Sequence, residues 1–223
     1  EFVEGWLKQE GFQTRVISLL PERPNVVGMY QGSGGGYSLI FNAHMDTSVS
    51  QQDVMHCRDP LYHADHEAWR EGDTLYGNGI VNDKGQMACF LIAARAIKNA
   101  GTILKGDLLL TAVSGEIEWE PVDEFQSPQY LSNDIGSHFM VAHGVVADYA
   151  LVAESSSFQL TWVQAGRAVF KVTLFGNERT LYSPFIMRPY ATEKNPNAIV
   201  RMAKLIDKIE DWALSYEKKH TYE

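Results

Sequence analysis

Three short apolar runs constrain this chain more than any other feature. They are Tyr37–Asn42 (YSLIFN), Asp107–Val113 (DLLLTAV) and Tyr149–Ala153 (YALVA). Each is too short for a stable helix and reads as a buried strand. Each also runs straight into titratable residues. The first reaches His44-Met45-Asp46, the second Ser114-Gly115-Glu116-Ile117-Glu118, and the third Glu154. Helical patterns separate them. Lys84–Ala100 carries Met87, Phe90, Leu91, Ala94 and Ile97 on one stripe, and Gly101 stops it. A second helix is expected over Ile135–His143. Strands alternating with helices predict an α/β fold with a largely parallel sheet. Sites in such sheets lie outside the carboxyl ends of the strands.

The rest of the chain fits around this pattern. Residues 1–10 read as a helix with Phe2, Val3, Trp6 and Leu7 on one face. Strands are expected over Thr14–Leu19 and Asn25–Tyr30. Gly32–Gly36 reads as a tight hairpin turn rather than a phosphate loop. Residues 48–74 and 117–134 read as long loops. The character changes after residue 160. Ala168–Phe175 alternates, with Phe170, Val172 and Leu174 facing one way, and predicts a half-exposed antiparallel strand. After a polar loop, Asn195-Pro196 reads as the cap and first position of a helix. Its apolar seam is Ile199, Met202, Ile206, Ile209, Ala213 and Tyr216. The expected domains are 1–160, an α/β domain, and 161–223, the first part of an α+β module. The chain starts inside a helix without a Met, and its tail YEKKHTYE closes nothing. Both ends are therefore expected to lack sequence.

Composition excludes several function classes. The 223 residues are 45% apolar and 21% charged, which suits a globular core. The net charge of −9 makes nucleic acid and anionic membrane poor partners. No apolar run reaches the length of a membrane span, and the longest, Met87–Ile97, holds Arg95. Cys57 and Cys89 cannot make a disulfide framework or a Cys-rich zinc site. Cys89 reads as core and Cys57 as loop, both free thiols of a reducing, cytoplasmic compartment.

One imidazole and several carboxylates converge on one sheet edge: His44, Asp46, Glu116, Glu118 and Glu154. Asp83 joins them from a helix start after Tyr76-Gly77-Asn78-Gly79. Mixed nitrogen and oxygen donors without sulfur suit Zn²⁺, Mn²⁺ or Co²⁺. One His cannot balance several carboxylates without cations, so a bound metal pair is the economical reading. Taken singly, each group has a plainer role. His-x-Asp is usually a surface pair, Glu-x-Glu a solvated loop, and Asp83 a helix cap. Gly77-x-Gly79 is no dinucleotide fingerprint, since Asn82 stands at its third glycine. His56, His63 and His66 read as a solvated loop, and Trp119 and Trp162 as packing or pocket lining.

In order, these segments resemble the M20 family of metallopeptidases and deacylases. LIFNAHMDTS is similar to its His-x-Asp motif. TLYGNGIVNDKGQMACFLIAARAI is similar to its Tyr-Gly-Arg-Gly…Asp-x-Lys-Gly segment and following helix. LLLTAVSGEIE resembles the strand leading to its Glu-Glu pair, and ADYALVAES its third ligand strand. The family includes aminoacylases, acetylornithine and succinyl-diaminopimelate deacylases, dipeptidases and some aminohydrolases. The resemblance implies a three-layer α/β/α metallohydrolase domain with an inserted α+β lid that forms a homodimer. It implies two divalent ions, zinc before manganese or cobalt, and a small-molecule substrate cleaved at an amide or related C–N bond. His44, Asp83 and Glu154 would bind metal, with Asp83 bridging. Asp46 would orient the imidazole. Glu116 would be the general base toward a metal-activated water.

Three departures stand out. The family's Glu-Glu is Glu116-Ile117-Glu118 here. Ile117 cannot bind metal, which leaves the second site to Glu118. The position of the lid His falls on Thr180 or Tyr182, neither a cationic oxyanion stabiliser. The remaining second-site His of the family lies beyond the last residue. Two further readings follow: a binding or assembly subunit that keeps the fold without catalysis, or a fragment of an active enzyme.

Overall fold

A computed structural model describes residues 1–47, 68–117, 133–154, 157–164, 166–176 and 197–221. The chain divides into two units, Glu1–Gly166 and Arg167–Glu223.

In the first unit, β6 (Leu108–Val113) is buried at every position, as the run LLLTAV requires. Parallel to it lies β3 (Leu39–His44), and antiparallel on its other side lies β2 (Pro24–Tyr30). β1 (Gln13–Ser18) pairs antiparallel with β2, and β7 (Tyr149–Val152) parallel with β3. The order is β1-β2-β6-β3-β7. The sheet is thus mixed, where the sequence predicts a largely parallel one. The short link from β1 to β2 contains no crossover, and such a link joins only antiparallel strands.

Gly32–Gly36 is not a hairpin turn, because β6 separates β2 from β3. The stretch instead crosses the start of β6. Ser33 N donates to Leu104 O at 2.8 Å, Gly34 N to Lys105 O at 2.9 Å, and Gly32 N to Asp107 Oδ1 at 2.8 Å. A Cβ on Gly106 would stand 1.8 Å from the Tyr37 carbonyl oxygen, so this close approach needs glycine.

Alternation along the strands sends side chains to two cores. Leu108, Leu110 and Ala112 pack with Val26, Ala43, Leu7, Met87 and Ala94. Leu109 and Val113 pack with Ile17, Val27, Ile40, Met140 and Val145. The helices α1 (Phe2–Gln9) and α2 (Gly85–Asn99) cover the first face, and α3 (Ile135–Ala142) covers the second. This is the expected three-layer α/β/α arrangement. Phe90 of α2 stacks on Phe41 of β3 with centroids 4.6 Å apart. Cys89 is exposed on α2 rather than core, because it falls off the stripe set by Met87 and Ala94.

Part of the expected loop 48–74 is a hairpin, β4 (Trp69–Glu71) with β5 (Thr74–Tyr76). Gly72, at φ 58°, takes the first central position of its two-residue turn, as a type II′ connection requires. Trp69 stacks on Tyr76 at 5.1 Å. Tyr76 then leads to a π-helical turn, Ile80–Lys84, that enters α2.

In the second unit, residues 168–175 form no strand ladder among the described residues. Alternation there marks two chemically different faces, but a strand also needs a hydrogen-bonded neighbour. α4 (Ala198–His220) begins at Asn197, whose side chain accepts from Ile199 N at 2.9 Å. That residue, not Asn195, caps the helix; residues 195 and 196 lie outside the described residues. No residue of α4 is buried. Arg201 donates to the Phe175 carbonyl at 3.1 Å. Among the described residues no helix is long and apolar enough to cross a membrane.

Candidate metal centre

β6, β3 and β7 are adjacent and parallel, so their carboxyl ends deliver side chains to one edge. His44 is the last residue of β3 and only 2% exposed. Its backbone N donates to Asp83 Oδ2 at 3.0 Å. Its ring Nδ1 faces the Asp46 carbonyl oxygen at 3.0 Å and Asp46 Oδ1 at 3.5 Å. Nε2 faces Asn82 Oδ1 at 2.5 Å and Glu116 Oε2 at 3.7 Å. An Nδ1–H donated to the Asp46 carbonyl leaves Nε2 as the ligating nitrogen. Burial pulls the His44 pKa down. The Asn82 hydrogen bond and the charges of Asp46, Glu116 and Asp83 outweigh it, and the net direction is up.

Glu116 follows β6 after a turn at Gly115, whose φ is 83°. Asp46 holds that turn. Its Oδ2 accepts from Ile117 N at 2.7 Å and its Oδ1 from Glu116 N at 3.5 Å. The main chain of Ile117 thus serves the site although its side chain cannot. Glu154 follows β7. His44, Glu116 and Glu154 each offer a ligand atom, all within 4.8 Å of one another.

Asp83 is fully buried. Its Oδ1 has no hydrogen-bond partner among the described residues. Burial pushes its pKa up to about 6, against the His44 N–H bond and the His44 charge; Glu154 and Glu116 push it further up. The Glu116 carboxyl is also raised, by burial first, with His44 opposing and Glu154, Asp134 and Asp46 reinforcing. Carboxylates that raise one another's pKa around one imidazole fit a divalent cation, which reverses the repulsion. The donors are nitrogen and oxygen only, as zinc, manganese or cobalt accept.

No protein-family model matches the chain. It is 32% identical over 161 residues to the N-formyl-4-amino-5-aminomethyl-2-methylpyrimidine deformylase of Bacillus subtilis, covering 71% of this chain and 33% of that protein. It is 29% identical over 119 residues to the succinyl-diaminopimelate desuccinylase of Rickettsia massiliae, covering 52% of this chain and 30% of that one. The chain belongs to the M20 family of metallopeptidases and deacylases. It spans about a third of the length of these two relatives. A tripeptidase structure from Staphylococcus aureus aligns with 70% of this chain and 37% of its own, at 17% identity and a TM-score of 0.48.

Set against the M20 pattern, the edge brings together His44, Glu116 and Glu154, with Asp46 beside them. Glu118 lies outside the described residues, as do His56, His63, His66, Cys57, Trp119, Thr180 and Tyr182. Two expectations change. Asp83 accepts the His44 backbone N–H and lies outside the group formed by His44, Glu116 and Glu154, while the exposed Asn82 faces Nε2. The signal was in the motif. In Asp-x-Lys-Gly, counted back from Lys84-Gly85, the acid falls on Asn82 and x on Asp83. Asp46 meets the imidazole closest through its carbonyl, while its carboxylate goes mainly to the 116–117 turn.

Proposed function

We propose that this chain carries the metal-binding core of an M20-type, metal-dependent hydrolase that cleaves an amide or related C–N bond of a small acylated substrate, such as an N-acyl amino acid or a dipeptide. The convergence of His44, Glu116 and Glu154 at the ends of three adjacent parallel strands carries this reading. The names of the relatives, a deformylase and a desuccinylase, support an acyl–nitrogen bond as the target.

His44 Nε2 and Glu154 would hold the divalent cation, with zinc preferred to manganese or cobalt. When bound, the cation polarises the scissile carbonyl and makes water acidic enough to attack at neutral pH. Glu116 acts as general base. Its raised pKa brings it nearer neutrality, where a base both accepts and returns a proton efficiently. Asp46 positions it by gripping the backbone N–H groups of Glu116 and Ile117. Residues 161–223 are the proposed start of an α+β lid that forms a homodimer. A cytoplasmic location fits the free thiol Cys89.

A binding subunit without catalysis is the second reading, favoured by Ile117 and by an amide at Nε2. The two separate on one experiment. Turnover of formyl-, acetyl- and succinyl-amino acids and dipeptides is measured for the full-length protein and for Glu116→Gln. The hydrolase reading expects turnover in the first and loss in the second with metal retained. Full activity in Glu116→Gln contradicts the role of Glu116, and no turnover by the wild type moves the protein to the binding reading.

A further inference from the structure

Resting on that reading, we infer that Asn82 supplies a neutral oxygen ligand at His44 and that this amide restricts the centre to a single divalent ion. His44 has one nitrogen free to ligate, since Nδ1 is engaged by the Asp46 carbonyl at 3.0 Å. Among the described residues, the side-chain oxygen nearest to that nitrogen is Asn82 Oδ1 at 2.5 Å, ahead of Glu116 Oε2 at 3.7 Å. A cation bound at Nε2 therefore meets Asn82 first.

The chemistry of that group decides the count. A carboxylate has two oxygens and a full charge, and can link two cations. An amide has one neutral oxygen, and its nitrogen only donates hydrogen bonds. The neighbouring acid does not replace it. Asp83 Oδ2 is committed to the His44 backbone N, which leaves that carboxylate one oxygen rather than the two that link a pair of cations, and Asp83 lies outside the group formed by His44, Glu116 and Glu154. Backbone geometry explains why the two neighbours face different ways. Asn82 takes extended angles, φ −129° and ψ 93°, inside an otherwise helical turn.

The test is a metal titration of chelator-stripped full-length protein with Zn²⁺ and with Mn²⁺, read by calorimetry and by metal analysis after gel filtration. Wild type, Asn82→Asp and Asn82→Ala are compared, and thermal melts establish that each is folded. The expected results are one equivalent in the wild type, an affinity about tenfold or more weaker in Asn82→Ala, and a second equivalent in Asn82→Asp. Two equivalents in the wild type overturn the inference and leave the hydrolase reading standing. So does an unchanged affinity in Asn82→Ala, or a single equivalent in folded Asn82→Asp. No metal at all in folded wild type overturns both.

Discussion

The floor under the strand ends and the rim above them use the same polar residue types to opposite ends. In the floor, polar groups are buried and mostly answered from within. Asn25 Oδ1 accepts from Ser114 N at 3.0 Å, and its Nδ2 donates to Gly136 O at 3.3 Å. Thr111 Oγ1 donates to Asn42 Oδ1 at 2.6 Å, and Asp83 takes the His44 N–H. In the rim, the Glu116 side chain is 32% exposed and opposes Glu154 and Asp46 rather than satisfying them. Buried groups with partners hold a fold together, whereas a cluster of like charges is stable only when something else arrives. The floor therefore belongs to stability and the rim to the ligand.

Substitutions can break that division. The largest effect is expected at the rim. Glu116→Gln should lower turnover by about 10²- to 10⁴-fold while leaving the melting temperature unchanged or slightly higher, because it removes a charge that its neighbours oppose. Steady-state kinetics and a thermal melt check both halves. A collapse of the melt would make Glu116 a floor residue.

Gly136→Ala is next. The new Cβ would stand 1.9 Å from the Ser114 carbonyl oxygen and 2.7 Å from Asn25 Oδ1. The backbone oxygen cannot swing away, so a loss of about 3 kcal/mol is expected in denaturant unfolding. Asn25→Ala should follow at about 2 kcal/mol, since it strands the Ser114 N–H and the Gly136 carbonyl. If either variant altered metal affinity with unchanged stability, the floor would be part of the site.

The smallest effect lies at the amino ends of the strands. Asp148 accepts from Ser38 N at 2.7 Å and Ser38 Oγ at 2.8 Å, and its pKa is lowered, first by the backbone bond and then by the hydroxyl. A depressed carboxyl stabilises the fold above its unfolded pKa, and this contribution vanishes as pH falls through the folded one. Asp148→Asn should therefore be slightly less stable at pH 7 and show a slightly shallower acid limb, the two proteins converging below about pH 4, with metal content unchanged. A change at neutral pH in metal content would contradict the separation.

Much of this was legible because burial and periodicity are local. LLLTAV, YSLIFN and YALVA announced β6, β3 and β7, and the acids and His after them announced the edge. The stripe Met87, Phe90, Leu91 and Ala94 announced α2. Pairing direction was not legible, since it depends on which strands meet across the sheet; the antiparallel β1-β2-β6 portion followed from that. The β4–β5 hairpin escaped because three exposed residues per strand carry no burial pattern. Residues 168–175 alternate like a strand yet have no ladder among the described residues. At the site, the placement of Asn82 rather than Asp83 at Nε2 could be read by counting the Asp-x-Lys-Gly motif back from Lys84-Gly85; its backbone cause, one extended residue in a helical turn, could not.

If this edge is a cation site built on His44, removing the imidazole must remove the metal. Metal content tests it most directly, by plasma mass spectrometry on full-length wild type and His44→Ala purified without chelator, each verified as folded. About one equivalent of zinc, manganese or cobalt in the wild type and none in His44→Ala is the predicted result. No metal in the folded wild type, or equal metal in both proteins, would contradict it.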